Sequence, residues 1–161
     1  MNAIISEFRK EYLIALGRIT VNMNHLEMWT RVYLGQLMDC DSEFVRKRYP
    51  TERYGKILEV FDLTFHVKIS DEKLREEFSL ILSNLSSLYQ KRNTYIHSLW
   101  LFAEDDSFVI RTKDLKYPNT EQDREPTPSE LNQLADDIGT AIGVLSKFIN
   151  RVAPFKKSAT T

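Results

Sequence analysis

The chain lacks the residues that stabilise small secreted domains and has few of those that interrupt helices. One cysteine among 161 residues excludes an intrachain disulfide, and a single unpaired thiol is typical of a reducing cytoplasm. Five glycines and five prolines leave long stretches without a helix breaker. The longest apolar runs are about five residues, far short of the roughly 20 that cross a bilayer. The sequence therefore predicts a cytoplasmic protein of long helices, with no membrane partner.

The chain also has little net charge, because its 22 lysines and arginines nearly balance its 23 aspartates and glutamates. A net charge of −1 provides no broad basic field for nonspecific nucleic-acid binding, although it leaves room for a small, locally basic site. Hydrophobic residues make up 42% of the chain and charged residues 28%, the balance of a globular protein with one core. We expect one domain over residues 1–155 and a disordered tail over 156–161.

Apolar residues recur at spacings of three and four along most of the chain, which predicts amphipathic helices. The first predicted helix covers residues 2–38, a second starts near Thr51, and a third is capped by Ser70. Residues 42–48 lie in the polar connection between the first two predicted helices and can form a helical turn. Residues 127–130 combine a cap, a proline at the first helical position and a capping-box glutamate, which predicts the start of the last helix.

After the third helix the hydrophobic period changes from that of a helix to that of a strand. Residues 99–103 are aromatic-rich, 104–107 have turn chemistry and 108–112 are β-branched, which predicts a short hairpin. A polar loop over 113–126 follows. The predicted fold class is mainly α: an up-and-down helical bundle of four to five helices, with a short β-hairpin after the third long helix.

Arg92 lies where the pattern of the third helix requires an apolar residue. The apolar stripe of this helix consists of Leu74, Phe78, Ile81, Leu85 and Leu88, and the next step of four is Arg92. A cation on such a stripe costs several kcal/mol unless it is paired or has a function. Asn93 follows directly, and His97 is one turn beyond Asn93, so those two side chains are neighbours.

Arg92 and His97 are roughly 140° apart around the axis of an ideal helix. The two side chains therefore converge only if Arg92 reaches round the helix, or if another helix supplies the opposite wall of a groove. A two-fold dimer would provide that second helix and bring two copies of the motif together.

Arg92, Asn93 and His97, late in a long helix of a mainly helical chain, resemble the motif of the HEPN superfamily. The match is an arginine, a polar residue directly after it, and a histidine with four residues between it and the arginine. The resemblance covers residues 1–99 and the last helix. It implies a single HEPN-like domain that dimerises through the third, motif-bearing helix. Many members are metal-independent endoribonucleases, often toxins or defence effectors, and others retain only nucleotide binding or a structural role.

The favoured interpretation is RNA cleavage at this motif without a cofactor. His97 can act as base or acid because imidazole titrates near neutrality. Arg92 can bind a phosphate through two donors, and Asn93 can orient His97 or bind a phosphate oxygen. The expected product is a 2′,3′-cyclic phosphate, with DNA resistant. Expected partners are RNA or a nucleotide, a second copy of the chain, and a cognate antitoxin or regulatory protein.

Three further residues are candidates for supporting the motif. Glu27 supplies a polar group from the first helix, and Tyr95 and Trp100 flank the motif and can stack on bases, although aromatics at this spacing more often fill a core. Three scattered histidines and one cysteine have no metal-ligand spacing, so no metal site is predicted.

Structural explanations of the same residues remain open. Arg92 can pair with a buried acid such as Glu27 or Glu59, His97 can cap the helix end, and Asn93 can stop the helix. The corresponding alternative function is a non-catalytic nucleotide-binding or protein-interaction helical module, for example a scaffold partner of another protein.

Overall fold

The computed structural model describes residues 7–49, 53–97, 99–102, 108–113, 121–124 and 126–153. Side chains are described for residues 10–49, 53–97 and 126–153. Helices dominate this part of the chain: α1 Glu7–Leu37, α2 Ser42–Arg48, α3 Tyr54–Lys68, α4 Glu72–Ile96 and α5 Pro128–Val152. The prediction of a mainly helical bundle is confirmed, and α4 is the predicted third helix. The predicted tail over 156–161 lies outside the described residues.

The described residues between α4 and α5 form three short antiparallel strands. They are β1 Leu99–Phe102, β2 Phe108–Lys113 and β3 Glu121–Arg124, in the order β1-β2-β3. In the register, Trp100 lies opposite Ile110, and Ile110 lies opposite Arg124. The prediction of a polar loop over 113–126 is wrong where β3 forms. The sequence of β3 is wholly polar, so it lacks the alternation of apolar and polar residues from which a strand is predicted.

The central helix of the bundle is α1, which packs against each of the other four helices and most extensively against α5. Its apolar residues at spacings of three and four form one buried face. The buried residues of this face include Tyr12, Ile19, Met23, Leu26 and Leu34. Thr30 interrupts the apolar series, yet it is fully buried, because its hydroxyl donates a hydrogen bond to the Leu26 carbonyl at 2.8 Å.

An aromatic cluster joins α3, α4 and α5. Phe65 of α3 stacks on Phe78 of α4, with ring centroids 4.0 Å apart, and Phe61 meets the same ring edge-on at 5.0 Å. Phe148 of α5 completes the cluster at 5.6 Å from Phe78. Contacts of this kind add to the area burial of each ring and fix how α4 is oriented between its neighbours.

The boundary between α3 and α4 differs from the prediction. Asp71, and not Ser70, caps α4, since its carboxylate accepts a hydrogen bond from the Leu74 N–H at 3.1 Å. Both residue types are good caps, but a carboxylate also interacts favourably with the positive end of the helix dipole. His66 lies in the last turn of α3. Arg75 of α4 binds the carbonyls of His66 and Ile69 and so satisfies the end of α3.

Candidate functional site

The end of α4 positions the three motif residues. The helix ends at Ile96, and the next residue, His97, is its C-cap, with φ −104° and ψ 2°. Its backbone N–H still donates to the Asn93 carbonyl at 3.0 Å, which closes the last turn. His97 thus occupies the helix end, as the structural explanation expected, but its imidazole binds elsewhere.

One nitrogen of Arg92 joins the three side chains. Its Nη1 donates to Asn93 Oδ1 at 2.9 Å and lies 2.9 Å from His97 Nε2. A guanidinium has donors only, so Nε2 must be the acceptor, and the geometry therefore assigns the neutral imidazole with its proton on Nδ1. Of the two ways in which Arg92 and His97 could converge, the structure has the first: Arg92 reaches round the helix, without help from a second helix.

The motif lies at the surface of the bundle. His97 is exposed, whereas Arg92 and Asn93 are half-buried. Arg92 Nε is buried without a hydrogen-bond partner in the described structure. The guanidinium therefore has one side against the protein and one end at the imidazole, so that a phosphate oxygen reaching His97 would also meet a cation.

The acids that might have paired with Arg92 are bound to other cations. Glu27 lies 3.7 Å from Arg31, and Glu59 lies 2.7 Å from Lys56. Among the described side chains, Arg92 forms no ion pair with a carboxylate. The structural explanation in which Arg92 pairs with Glu27 or Glu59 is therefore wrong.

Of the three predicted supporting residues, Glu27 and Tyr95 do not join the cluster in the described structure. Glu27 stays on α1 beside Arg31, half-buried. Tyr95 is only 6% exposed and belongs to the core, so its ring cannot stack on a base. Trp100 lies in β1, and its side chain is outside the described residues. The described polar contacts of Arg92 involve only Asn93 and His97, and the sequence had identified both.

Cys40 has the surroundings of a structural thiol. It is half-buried in the turn after α1, and burial, with help from Asp41 and Asp39, raises the pKa of its thiol. A raised pKa lowers the fraction of thiolate, which is the nucleophilic form. Cys40 therefore does not offer a second reactive centre.

Two other kinds of feature are absent from the described residues. No group of three or more histidine, cysteine, aspartate or glutamate side chains in that part of the chain is arranged to hold a metal ion. No helix there is long and apolar enough to cross a membrane. Comparisons with protein-family models, curated proteins and solved structures gave no match.

Proposed function

We propose that this chain is a HEPN-like, nucleic-acid-processing protein that cleaves RNA at the Arg92, Asn93 and His97 cluster. The observation that supports it best is the 2.9 Å contact between Arg92 Nη1 and His97 Nε2 at an exposed helix end. The cation can stabilise charge on the phosphorane oxygens, and the neutral imidazole beside it can accept the proton of the attacking hydroxyl.

The contact suggests how the residues act. A phosphate entering the site competes for the Arg92 donors, which releases the lone pair of His97 Nε2 to accept the proton of the 2′-OH. The 2′-oxygen forms a bond to phosphorus, and the bond to the 5′-oxygen breaks. The leaving 5′-oxygen takes a proton from solvent water, and His97 returns to solvent the proton that it accepted. Arg92 stabilises the charge on the phosphorane oxygens, and Asn93 holds the guanidinium in place. The products are a 2′,3′-cyclic phosphate and a 5′-hydroxyl.

The proposal includes a homodimer through α4, the helix that carries the motif. Arg92 and His97 already meet on one helix, so the second copy is not needed to bring them together. Its role would be to form the opposite wall of the RNA groove, because the exposed His97 alone offers little surface for binding a strand. A cognate antitoxin or regulatory protein would act by covering this groove.

The chemistry is tested with purified protein and a single RNA strand in EDTA, beside a DNA strand of the same sequence. We expect cleavage of the RNA alone, with 2′,3′-cyclic phosphate ends, because the attacking group is the 2′-OH. Cleavage of both strands, or RNA products with 3′-hydroxyl and 5′-phosphate ends, would contradict the mechanism, since water would then be the nucleophile.

A stability measurement separates function from structure at Arg92. Replacing Arg92 by alanine orphans no carboxylate in the described structure, so we expect the free energy of unfolding to fall by less than about 1 kcal/mol. Lys91→Ala, an exposed neighbour, serves as the control. A loss of several kcal/mol in Arg92→Ala would indicate a structural cation instead.

The alternative proposal is a non-catalytic protein-interaction or nucleotide-binding module. It is favoured by an open groove between α4 and α5, which is lined largely by Leu80, Ile81 and Val144 and is remote along α4 from the motif. RNA or nucleotide binding at Arg92 without any cleavage would support this alternative.

A further inference from the structure

A line of exposed apolar side chains runs along the outer face of α1. Ile14, Val21 and Met28 recur every seven residues and are 61%, 53% and 48% exposed. Seven residues are close to two helical turns, so these three residues, the α1 stripe, lie in a row about 21 Å long. Leu13 and Trp29 flank the stripe and are 53% and 36% exposed. A seven-residue apolar repeat is the pattern with which one helix packs along another.

The stripe is symmetric about Val21. Ile14 and Met28 are each seven residues from it, and Leu13 and Trp29 are each eight residues from it. A two-fold contact requires a surface that matches itself when it is reversed, and this pattern reads the same in both directions. In an antiparallel pair centred on Val21, Ile14 lies opposite Met28 of the second copy. A partner of another kind would not require that symmetry.

The charges around the stripe also allow two identical faces to meet. Residues 13–29, which contain the stripe and its flanks, include one acid, Glu27, which pairs with Arg31, and one lysine or arginine, Arg18. The Arg18 guanidinium is directed to α5, where it binds Asn132 and Asp136. Like charges facing each other would oppose self-association, and this face presents no such unpaired cation.

A glycine beside the stripe leaves room for a second helix. Gly17 is exposed, and a Cβ added there would meet nothing within 4 Å. Packed helices lie about 8–10 Å apart, and a missing side chain near the seam favours the shorter distance. Val21 and Gly17 therefore provide a close-approach point at the centre of the stripe.

We propose that the α1 stripe is a self-association surface, at which α1 of a second copy binds antiparallel with the two-fold axis beside Val21. The surface lies on a different helix from the motif, so this proposal goes beyond the proposed function and does not depend on it. Four turns of one helix form an interface at the small end of the known range. The association is therefore concentration-dependent, with a Kd in the micromolar range or weaker.

Disulfide trapping tests the axis and the direction of the pair. In a Cys40→Ser background, Val21→Cys should form a covalent dimer readily, because residues at a two-fold axis reach disulfide distance, with Cα atoms about 4.4–6.8 Å apart. Ile14→Cys alone should not form one, because its two copies would be about 21 Å apart. Ile14→Cys mixed with Met28→Cys should form the mixed dimer.

The matched control for trapping is Leu63→Cys, at a site on α3 that is 67% exposed. Val21→Cys that crosslinks no faster than Leu63→Cys would overturn the proposal, and the stripe would then belong to a different partner. Self-crosslinking of Ile14→Cys would overturn the antiparallel arrangement.

Sedimentation at chain concentrations from about 1 µM to about 1 mM provides the second test. The unmodified chain should self-associate, Val21→Lys should weaken that association at least tenfold, and Leu63→Lys should leave it unchanged. Equal association by Val21→Lys and the unmodified chain would overturn the proposal. If the chain also dimerises through α4, the Val21→Lys variant should form that dimer and no larger species. Disulfide trapping at position 21 still reports on the α1 stripe alone.

Discussion

At the scale of single residues, the conformation of His97 decides whether the motif forms a site. A helical wheel places Arg92 and His97 roughly 140° apart because it assumes helical backbone at both residues. His97 instead has φ −104°, away from the helical value near −63°, and this rotation about the N–Cα bond turns its Cβ away from the position in a regular helix. The long Arg92 side chain covers the remaining distance to Nε2. The sequence could therefore predict which residues take part, but not that one helix would bring them together.

A second feature at the scale of single residues is the buried pair of hydroxyl groups of Thr30 and Tyr54. The single hydroxyl hydrogen of Thr30 goes to the Leu26 carbonyl, so Tyr54 is the donor in the 2.9 Å contact between the two hydroxyls. Burial raises the pKa of Tyr54, and nearby Glu27 adds to the effect, while the charge of Arg31 opposes it. The folded protein thus favours the neutral phenol.

This pair predicts a loss of stability at alkaline pH. Because the folded pKa of Tyr54 lies above the unfolded value near 10, its contribution is complete below about pH 10 and is lost as the pH rises beyond it. Tyr54→Phe should cost about 1 kcal/mol at neutral pH and should lose less stability between about pH 8 and about pH 11 than the unmodified chain. Urea unfolding at the two pH values measures both effects, and parallel losses in the two proteins would contradict the assignment.

At the scale of helices and strands, features that depend on neighbouring residues could be predicted from the sequence. Features that depend on pairing between distant residues could not. The capping box of α5 is confirmed, since Thr127 and Glu130 exchange side-chain and backbone hydrogen bonds as the sequence predicts. The start of α4 was misplaced by one residue because Ser70 and Asp71 are both good caps. Strand β3 was not predicted because it forms by pairing with β2. The pattern of its own polar residues does not indicate that pairing.

The α5 cap has a measurable effect on stability. Thr127 Oγ1 accepts from the Glu130 N–H at 3.2 Å, and Glu130 returns a bond to the Thr127 N–H at 2.8 Å. Thr127→Ala should lower the free energy of unfolding by about 1 kcal/mol. Ser129→Ala, in the same turn and exposed, should change it by less than about 0.5 kcal/mol. Denaturant titration of both variants tests this, and equal losses would rule out the cap as the cause.

At the scale of the whole molecule, the periodicity of the apolar residues was sufficient to predict a helical bundle but not how its helices are oriented. The aromatic cluster around Phe78 fixes that packing through rings from three helices. Which rings are in contact depends on the crossing angles of the helices and on the side-chain rotamers. Neither can be predicted from the spacing of apolar residues. The position of Arg92 at the bundle surface, and not in its core, follows from the same packing.

Removing the central ring tests that packing. Phe78 is fully buried, so Phe78→Ala should lower the free energy of unfolding by about 3–5 kcal/mol through lost burial and the cavity that remains. Leu80→Ala lies on the same helix and is 73% exposed, so it should cost less than about 1 kcal/mol. Thermal or denaturant unfolding compares the two, and a small loss in Phe78→Ala would mean that the cluster contributes little to the packing of α4.

The central claim is that Arg92 and His97 form one catalytic unit, and the cleavage rate of one RNA strand in EDTA tests it most directly. We predict that Arg92→Ala and His97→Ala each slow cleavage at least about 100-fold, while Lys91→Ala and His66→Ala cleave like the unmodified chain. All five proteins must first show the same cooperative unfolding. Equal cleavage by the Arg92 and His97 variants and the unmodified chain, or no cleavage by the unmodified chain, would contradict the account.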